Sequence, residues 1–127
     1  MNKDEEHLKL LSIFHYIVGG LAGFFACFPI IHFCIGILIL ADASRGGPSV
    51  AFGLFFMMMA LTLIILGWTL ALCLIVSGRC LARRRCYKFC FATACVSCVF
   101  MPYGTVLGVF TIIVLIRPSV KELFAAT

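Results

Sequence analysis

Two histidines, His15 and His32, stand in a run of the chain, residues 10–41, that holds no Asp, Glu, Lys or Arg. An imidazole in such surroundings can relay a proton, ligate a metal or haem, or satisfy a backbone carbonyl. An ionisable side chain inside a long apolar run is a functional candidate by default. The two are about 25 Å apart along a continuous helix at ~1.5 Å per residue, too far to ligate one haem together, although each can pair across a dimer. His15 precedes Tyr16, and amphipathic rings commonly settle at the membrane interface, so a hydrogen-bonded histidine at headgroup level is the expectation there. His32 follows Pro29 by three residues and is expected to bond the carbonyl that the proline leaves without a partner. A proton-relay or ligand role is considered for His32.

The eight cysteines are the other reactive groups. Cys27, Cys34, Cys73, Cys90, Cys95 and Cys98 lie in apolar stretches, where the simplest role is that of small hydrophobes in helix contacts. Cys80 and Cys86 lie beside basic residues. Cys90, Cys95 and Cys98 match the local spacing of a plant-type iron–sulfur loop, but at ~100° per residue on a helix the three thiols do not converge. Met57-Met58-Met59 are splayed by the same rotation and form no metal-binding stripe. Among the apolar stretches there is no carboxylate to pair with a histidine, so no nucleophile carries an activating partner. There is also no glycine-rich phosphate loop and no zinc-binding His-Glu pair. No enzyme, metal or cofactor is expected.

The elements that position these groups are read from charge. The chain has 127 residues, with ten Lys and Arg and five Asp and Glu. All fifteen fall in four patches, residues 3–9, 42–45, 79–88 and 117–122, leaving 10–41, 46–78 and 89–116 bare. Crossing a ~30 Å hydrocarbon core takes about 20 helical residues, and each bare stretch exceeds that. A soluble domain would carry about twice the charge and scatter it, so a soluble enzyme, a zinc finger and a disordered tail are excluded. Residues 1–9 mix both signs ahead of a run far longer than a signal-peptide core, and no cleaved secretory signal is expected. Ala41-Asp42-Ala43 mimics a cleavage triplet but follows a stretch long enough to stay as an anchor.

Orientation follows the basic residues. Arg79, Arg83, Arg84, Arg85 and Lys88 mark a cytoplasmic connection, and the loop with Arg45 lies outside. Topology accounts for the net charge of +5, with anionic lipid headgroups as the partner of residues 79–88 and no nucleic acid. Met101-Pro102-Tyr103-Gly104 is a turn signal. If it closes a hairpin, nine of the ten Lys and Arg lie inside; a single crossing leaves seven inside and three outside. The expectation is therefore an all-α, polytopic transmembrane helical bundle of about four spans, with N- and C-termini cytoplasmic. Residues 1–14 begin an interfacial helix, spans lie near 15–40, 50–76, 82–101 and 104–117, and 118–127 form a cytoplasmic tail. Asn2-Lys-Asp-Glu5 and Ser119-Val-Lys-Glu122 read as capping boxes, Gly19-Gly20 or Pro29 absorbs a bend in the long first stretch, and Ser77-Gly78 ends the second span. Phe25–Pro29 and Cys98–Pro102 echo each other faintly, as inverted repeats do.

Gly19 with Gly23, Gly67 with Ala71 and Gly104 with Gly108 form small-xxx-small motifs, which let helix backbones approach closely in lipid. Packing within the chain is the preferred use and a dimer face the alternative.

His7-Leu-Lys-Leu-Leu-Ser-Ile-Phe-His-Tyr-Ile-Val-Gly-Gly20, Cys27-Phe-Pro-Ile-Ile-His32, Pro102-Tyr-Gly-Thr-Val-Leu-Gly108 and Val114-Leu-Ile-Arg-Pro118 resemble a group of uncharacterised small bacterial inner-membrane proteins with about four transmembrane helices. The resemblance covers most of the chain and implies a multi-pass bacterial inner-membrane address, but no activity. The expected function is a non-enzymatic accessory or structural subunit that packs with other membrane proteins or forms a homo-oligomer. The alternatives are a small oligomeric channel or transporter and a haem- or redox-linked subunit using His15 or His32.

Overall fold

The computed structural model describes residues 3–99 and 103–126. Among these the regular elements are all α-helices: α1 (Lys3–Phe25), α2 (Phe28–Ala43), α3 (Val50–Ala82), α4 (Tyr87–Val99), α5 (Tyr103–Ile116) and α6 (Pro118–Ala125). Two helical stretches, Lys3–Ala43 and Val50–Ala82, are long and apolar enough to cross a membrane.

The breaks fall where backbone chemistry demands them, with several shifts from the sequence reading. The bend in the first stretch sits at Ala26–Cys27, directly ahead of α2, whose first turn contains Pro29. A proline is tolerated there because a first-turn N–H has no intrahelical partner to lose. Gly19 and Gly20 stay helical. No helix end falls at Ser77-Gly78, since α3 runs on to Ala82. The expected helix start at 82 moves to Tyr87 because Arg84 (φ 53°) and Cys86 (φ 55°) take left-handed backbone between α3 and α4. α6 begins at Pro118 with Arg117 at its N-cap and no capping side chain, so Ser119 does not cap it. The turn residues Met101 and Pro102 and the first cap residue Asn2 lie outside the described residues.

The chain divides into two compact units, residues 21–69 and residues 1–20 with 70–127. In the first, α2 runs antiparallel to the start of α3. The backbone of Gly36 lies against Met57, and Gly53 against Ile39 and Leu40. Their turn closes with Arg45 N–H and Gly47 N–H both donating to the Asp42 carbonyl, at 2.8 and 3.1 Å. Gly46 supplies the required positive φ of 92°, a conformation that costs glycine little. In the second unit, α4 and α5 form an antiparallel hairpin. Tyr87 at the start of α4 donates to the carbonyl of Leu115 near the end of α5 (2.9 Å), and Thr105 donates back to Cys98 (2.8 Å). At ~1.5 Å per residue α4 and α5 are each about 20 Å long, shorter than a ~30 Å hydrocarbon core.

The distribution of side chains is inverted relative to a soluble protein. The buried residues are Leu, Ala, Gly, Ser, Thr, Cys, His and a single Val; no described Phe, Ile, Met or Trp is buried. Leu38 and Phe55 are each 68% exposed, and Phe24 64%.

Candidate functional site

The polar side chains that the fold withdraws from solvent belong to one unit. Ser12 and His15 on α1, Ser77 on α3, Thr93 and Ser97 on α4 and Thr111 on α5 are all buried. Their placement starts from glycine. Gly78 has no side chain, and a Cβ there would stand 3.2 Å from the Cβ of His15 and from the carbonyl oxygen of Ser12. α1 therefore rests on the α3 backbone, and Ser12 Oγ donates to the Gly78 carbonyl at 2.7 Å. One turn further along α1, Gly19 lies against Ala71, Leu74 and Ile75 of α3.

Most of the buried polar groups have local partners. Ser97 donates to the Thr93 carbonyl at 2.8 Å and Thr111 to the Leu107 carbonyl at 2.7 Å. This bonding to the carbonyl four residues back lets a hydroxyl lie inside a helix contact without an unmet donor. The Cys90 thiol, fully buried, faces the Ser77 carbonyl at 3.7 Å. His15 Nδ1 lies 2.9 Å from the Leu11 carbonyl. Two buried side-chain atoms among the described residues lack a partner: His15 Nε2 and Ser77 Oγ.

The expected residues are distributed as follows. His15 is hydrogen-bonded, as expected, and fully enclosed, while its neighbour Tyr16 is exposed. An intersubunit haem or metal bond through its ring would require α1 and α3 to part. His32 belongs to the other unit and is exposed. Its Nδ1 approaches the carbonyl of Phe28 (3.4 Å), not that of Phe25, because α1 has already ended ahead of Pro29 and the carbonyl four residues back from His32 is Phe28's. Its ring lies 5.7 Å from that of Phe56. Of the small-residue positions, Gly19 and Ala71 meet each other, Gly67 lies against Ala26, and Gly108 lies against the Ala94 carbonyl and Cys98 of α4. Gly104 is buried and Gly23 half-buried.

The cysteines divide by face. Cys90 is buried and the Cys98 sulfur packs against Gly108, whereas Cys27, Cys34, Cys86 and Cys95 are exposed. No disulfide joins them. Among the described residues no three His, Cys, Asp or Glu side chains gather as a metal site.

The charged groups gather at one end of the same unit. Arg84 Nη2 donates to Glu5 Oε1 at 2.7 Å, and Arg117 Nη1 lies 3.6 Å from Asp4 Oδ1. The ring of Tyr87 meets that of Phe124 edge to face at 5.6 Å, and Val120 is completely buried beneath α6. The first turn of α1, the α3–α4 connection and α6 thus share one pole. Arg79, Arg83, Arg85 and Lys88 are exposed around it, while Arg84 is half-buried. The basic cluster is legible in the sequence but its acidic partner Glu5 is not, because their pairing requires contact across 79 residues.

Compared with protein-family models, curated proteins and solved structures, the chain matches none.

Proposed function

We propose that this protein is a small, non-enzymatic, multi-pass integral membrane protein, an accessory or structural subunit whose outer helix faces meet lipid and the helices of partner subunits or further copies of itself. The observation that carries this reading is the inverted burial. Helix association in lipid rests on close backbone approach and interhelical hydrogen bonds rather than on burial of large apolar groups. Gly19 on Ala71, Gly108 on Ala94 and Ser12 on Gly78 supply those contacts. Phe24, Leu38, Phe55 and Val99 point outward, where water would penalise them.

The topology that goes with this function has the Arg45 loop outside and the pole carrying Glu5, Arg84 and Arg117 in the cytoplasm of a bacterial cell. The α4–α5 hairpin enters from that pole and returns to it, so residues 3–9 and 117–126 share a side. Counting the hairpin as two crossings makes four spans. Its ~20 Å arms favour a hairpin that ends within the bilayer, with its backbone satisfied by protein. Arg79, Arg83, Arg85 and Lys88 lie exposed where anionic headgroups would meet them.

The test is affinity purification from native membranes after chemical crosslinking, with the oligomeric state measured in nanodiscs. Co-purification of a defined subunit, or a discrete homo-oligomer, is the expected result. A monomer that captures no partner overturns the proposal. A small oligomeric channel is the second reading, favoured by the exposure of His32 on a face that oligomerisation can turn toward a path. Ion or solute flux in proteoliposomes, lost in His32→Ala, supports it over the first.

A further inference from the structure

Two of the cysteines meet at the basic corner between α3 and α4. The end of α3 is closed by two backbone bonds: Arg84 N–H donates to the Leu81 carbonyl at 3.2 Å and Arg85 N–H to the Cys80 carbonyl at 2.9 Å. This is the Schellman pattern of a helix C-terminus, made with an arginine, Arg84, at the left-handed position (φ 53°). It folds the chain back over the last turn of α3. Cys86, also left-handed at φ 55°, then opens α4, its carbonyl accepting from Cys90 N–H at 3.1 Å. The corner brings the thiols of Cys80 and Cys86 into a side-chain hydrogen bond. Both are free, Cys80 half-buried and Cys86 exposed. Arg79 and Arg83 act on Cys80 by charge, and both stand exposed around the corner with Arg85 and Lys88. Cysteine reactivity concentrates in such electropositive, partly exposed surroundings. Cys90 is a poor third member: it is 0% exposed, with its sulfur 3.7 Å from the Ser77 carbonyl and 3.9 Å from that of Arg85.

We propose that Cys80 and Cys86 are a redox-active dithiol, which a hydroperoxide oxidises to a disulfide that clips the end of α3 to the start of α4. The exposed Cys86 sulfur attacks hydrogen peroxide. An S–O bond forms as the O–O bond breaks, and the departing oxygen leaves with the thiol proton as water. The Cys80 sulfur then attacks the resulting sulfenic acid. An S–S bond forms as the S–O bond breaks, and hydroxide leaves with the Cys80 proton as a second water. The two sulfurs lose two electrons and the peroxide oxygens gain them; a dithiol reductant reverses the change. The disulfide closes a loop around Arg83, Arg84 and Arg85, and so fixes the corner from which Arg84 reaches Glu5. In the cytoplasmic placement proposed above the pair rests as thiols and the disulfide is transient, but the chemistry of the corner does not depend on that placement.

Peptide mapping of the full chain in nanodiscs tests this. The protein is reduced, freed of reductant, exposed to hydrogen peroxide, alkylated and digested with trypsin. Cleavage after Arg83, Arg84 and Arg85 leaves Cys80 and Cys86 on separate peptides unless a disulfide joins them. The expected product is the joined pair, lighter by two hydrogens and released by reductant, with a several-fold loss of Cys86 alkylation. Cys80→Ser should abolish the joined pair and let a sulfenic acid accumulate on Cys86, where dimedone traps it. Circular dichroism of the variant checks that the helices persist. A wild-type protein that forms no Cys80–Cys86 link under peroxide overturns the proposal. So does a Cys86 linked chiefly to Cys90 or to a second copy of the chain. The wild-type map decides the question even if Cys80→Ser does not fold.

Discussion

Glu5 accepts a hydrogen bond from Arg84 at 2.7 Å, across 79 residues of sequence. Glu5 stands in the first turn of α1, and Arg84 lies in the left-handed corner between α3 and α4. Their bond ties the start of the chain's first helix to a connection whose backbone conformation is otherwise unfavourable for a residue with a side chain. Both side chains are partly exposed, 26% and 34%, so the pair is screened by solvent. Arg84→Ala is expected to cost about 0.2–1 kcal/mol, with the loss shrinking at high salt. Thermal unfolding in detergent at low and high ionic strength measures this. A loss that does not depend on salt would show that Arg84 acts through packing instead.

The glycines should rank by what a Cβ meets. At Gly108 it would stand 2.5 Å from both the Ala94 carbonyl and the Cys98 sulfur, and backbone cannot move aside cheaply. Gly108→Ala should therefore destabilise by about 1–3 kcal/mol, as overpacking does. Gly19→Ala should cost less, because the nearest atom, at 3.0 Å, is the Cγ1 of the Ile75 side chain. Gly20→Ala meets nothing within 4 Å and should be neutral or stabilising by up to about 1 kcal/mol. Unfolding midpoints of the three variants in one detergent test the order.

Tyr87→Phe removes the hydroxyl that donates to the Leu115 carbonyl at 2.9 Å while keeping the ring contact with Phe124. The expected loss is about 0.5–1.5 kcal/mol. Hydrogen exchange should show it locally, as faster exchange at the α4–α5 base and unchanged rates in residues 21–69.

Side-specific thiol labelling tests the topology. In a background where the other cysteines are replaced, Cys86 and a cysteine introduced as Ala126→Cys should react from the same side of sealed vesicles. Arg45→Cys should react only from the opposite side. Reaction of Cys86 and the Ala126→Cys site from opposite faces would rule out the hairpin returning to its starting side.

Trp68 is the chain's single tryptophan and is 46% exposed on α3. Brominated acyl chains should quench its fluorescence in liposomes, whereas an aqueous quencher should do little. The reverse pattern would place this face of α3 against water, and weak quenching by both would place it against protein.

Much of the fold was legible one segment at a time. Residues 10–41 and 46–78, bare of charge, became the two stretches long enough to cross a membrane, and Asp42–Gly47 became the tight turn between α2 and α3. Other features had no local signal. Ser77-Gly78 reads as a helix end, yet α3 continues through it, because Ser12 and His15 pack on Gly78 and outweigh its weak helix propensity. The corner at Arg83–Cys86 uses left-handed backbone without any glycine to announce it. The burial of His15 and exposure of His32 were equally hidden, since both sit in the same kind of apolar run.

By itself, then, the sequence determined that this chain is helical, where its charges interrupt the helices, and that three long stretches between them are bare of charge, because hydropathy sums over a segment without regard to direction. Tertiary structure alone decided which residues meet: Glu5 with Arg84, Gly108 with Ala94, and His15 with Gly78. The physical reason is rotation. These helices are apolar nearly all the way round, so no amphipathic stripe marks an inner face. Only the close approach permitted at Gly19, Gly78 and Gly108 chooses which side turns inward.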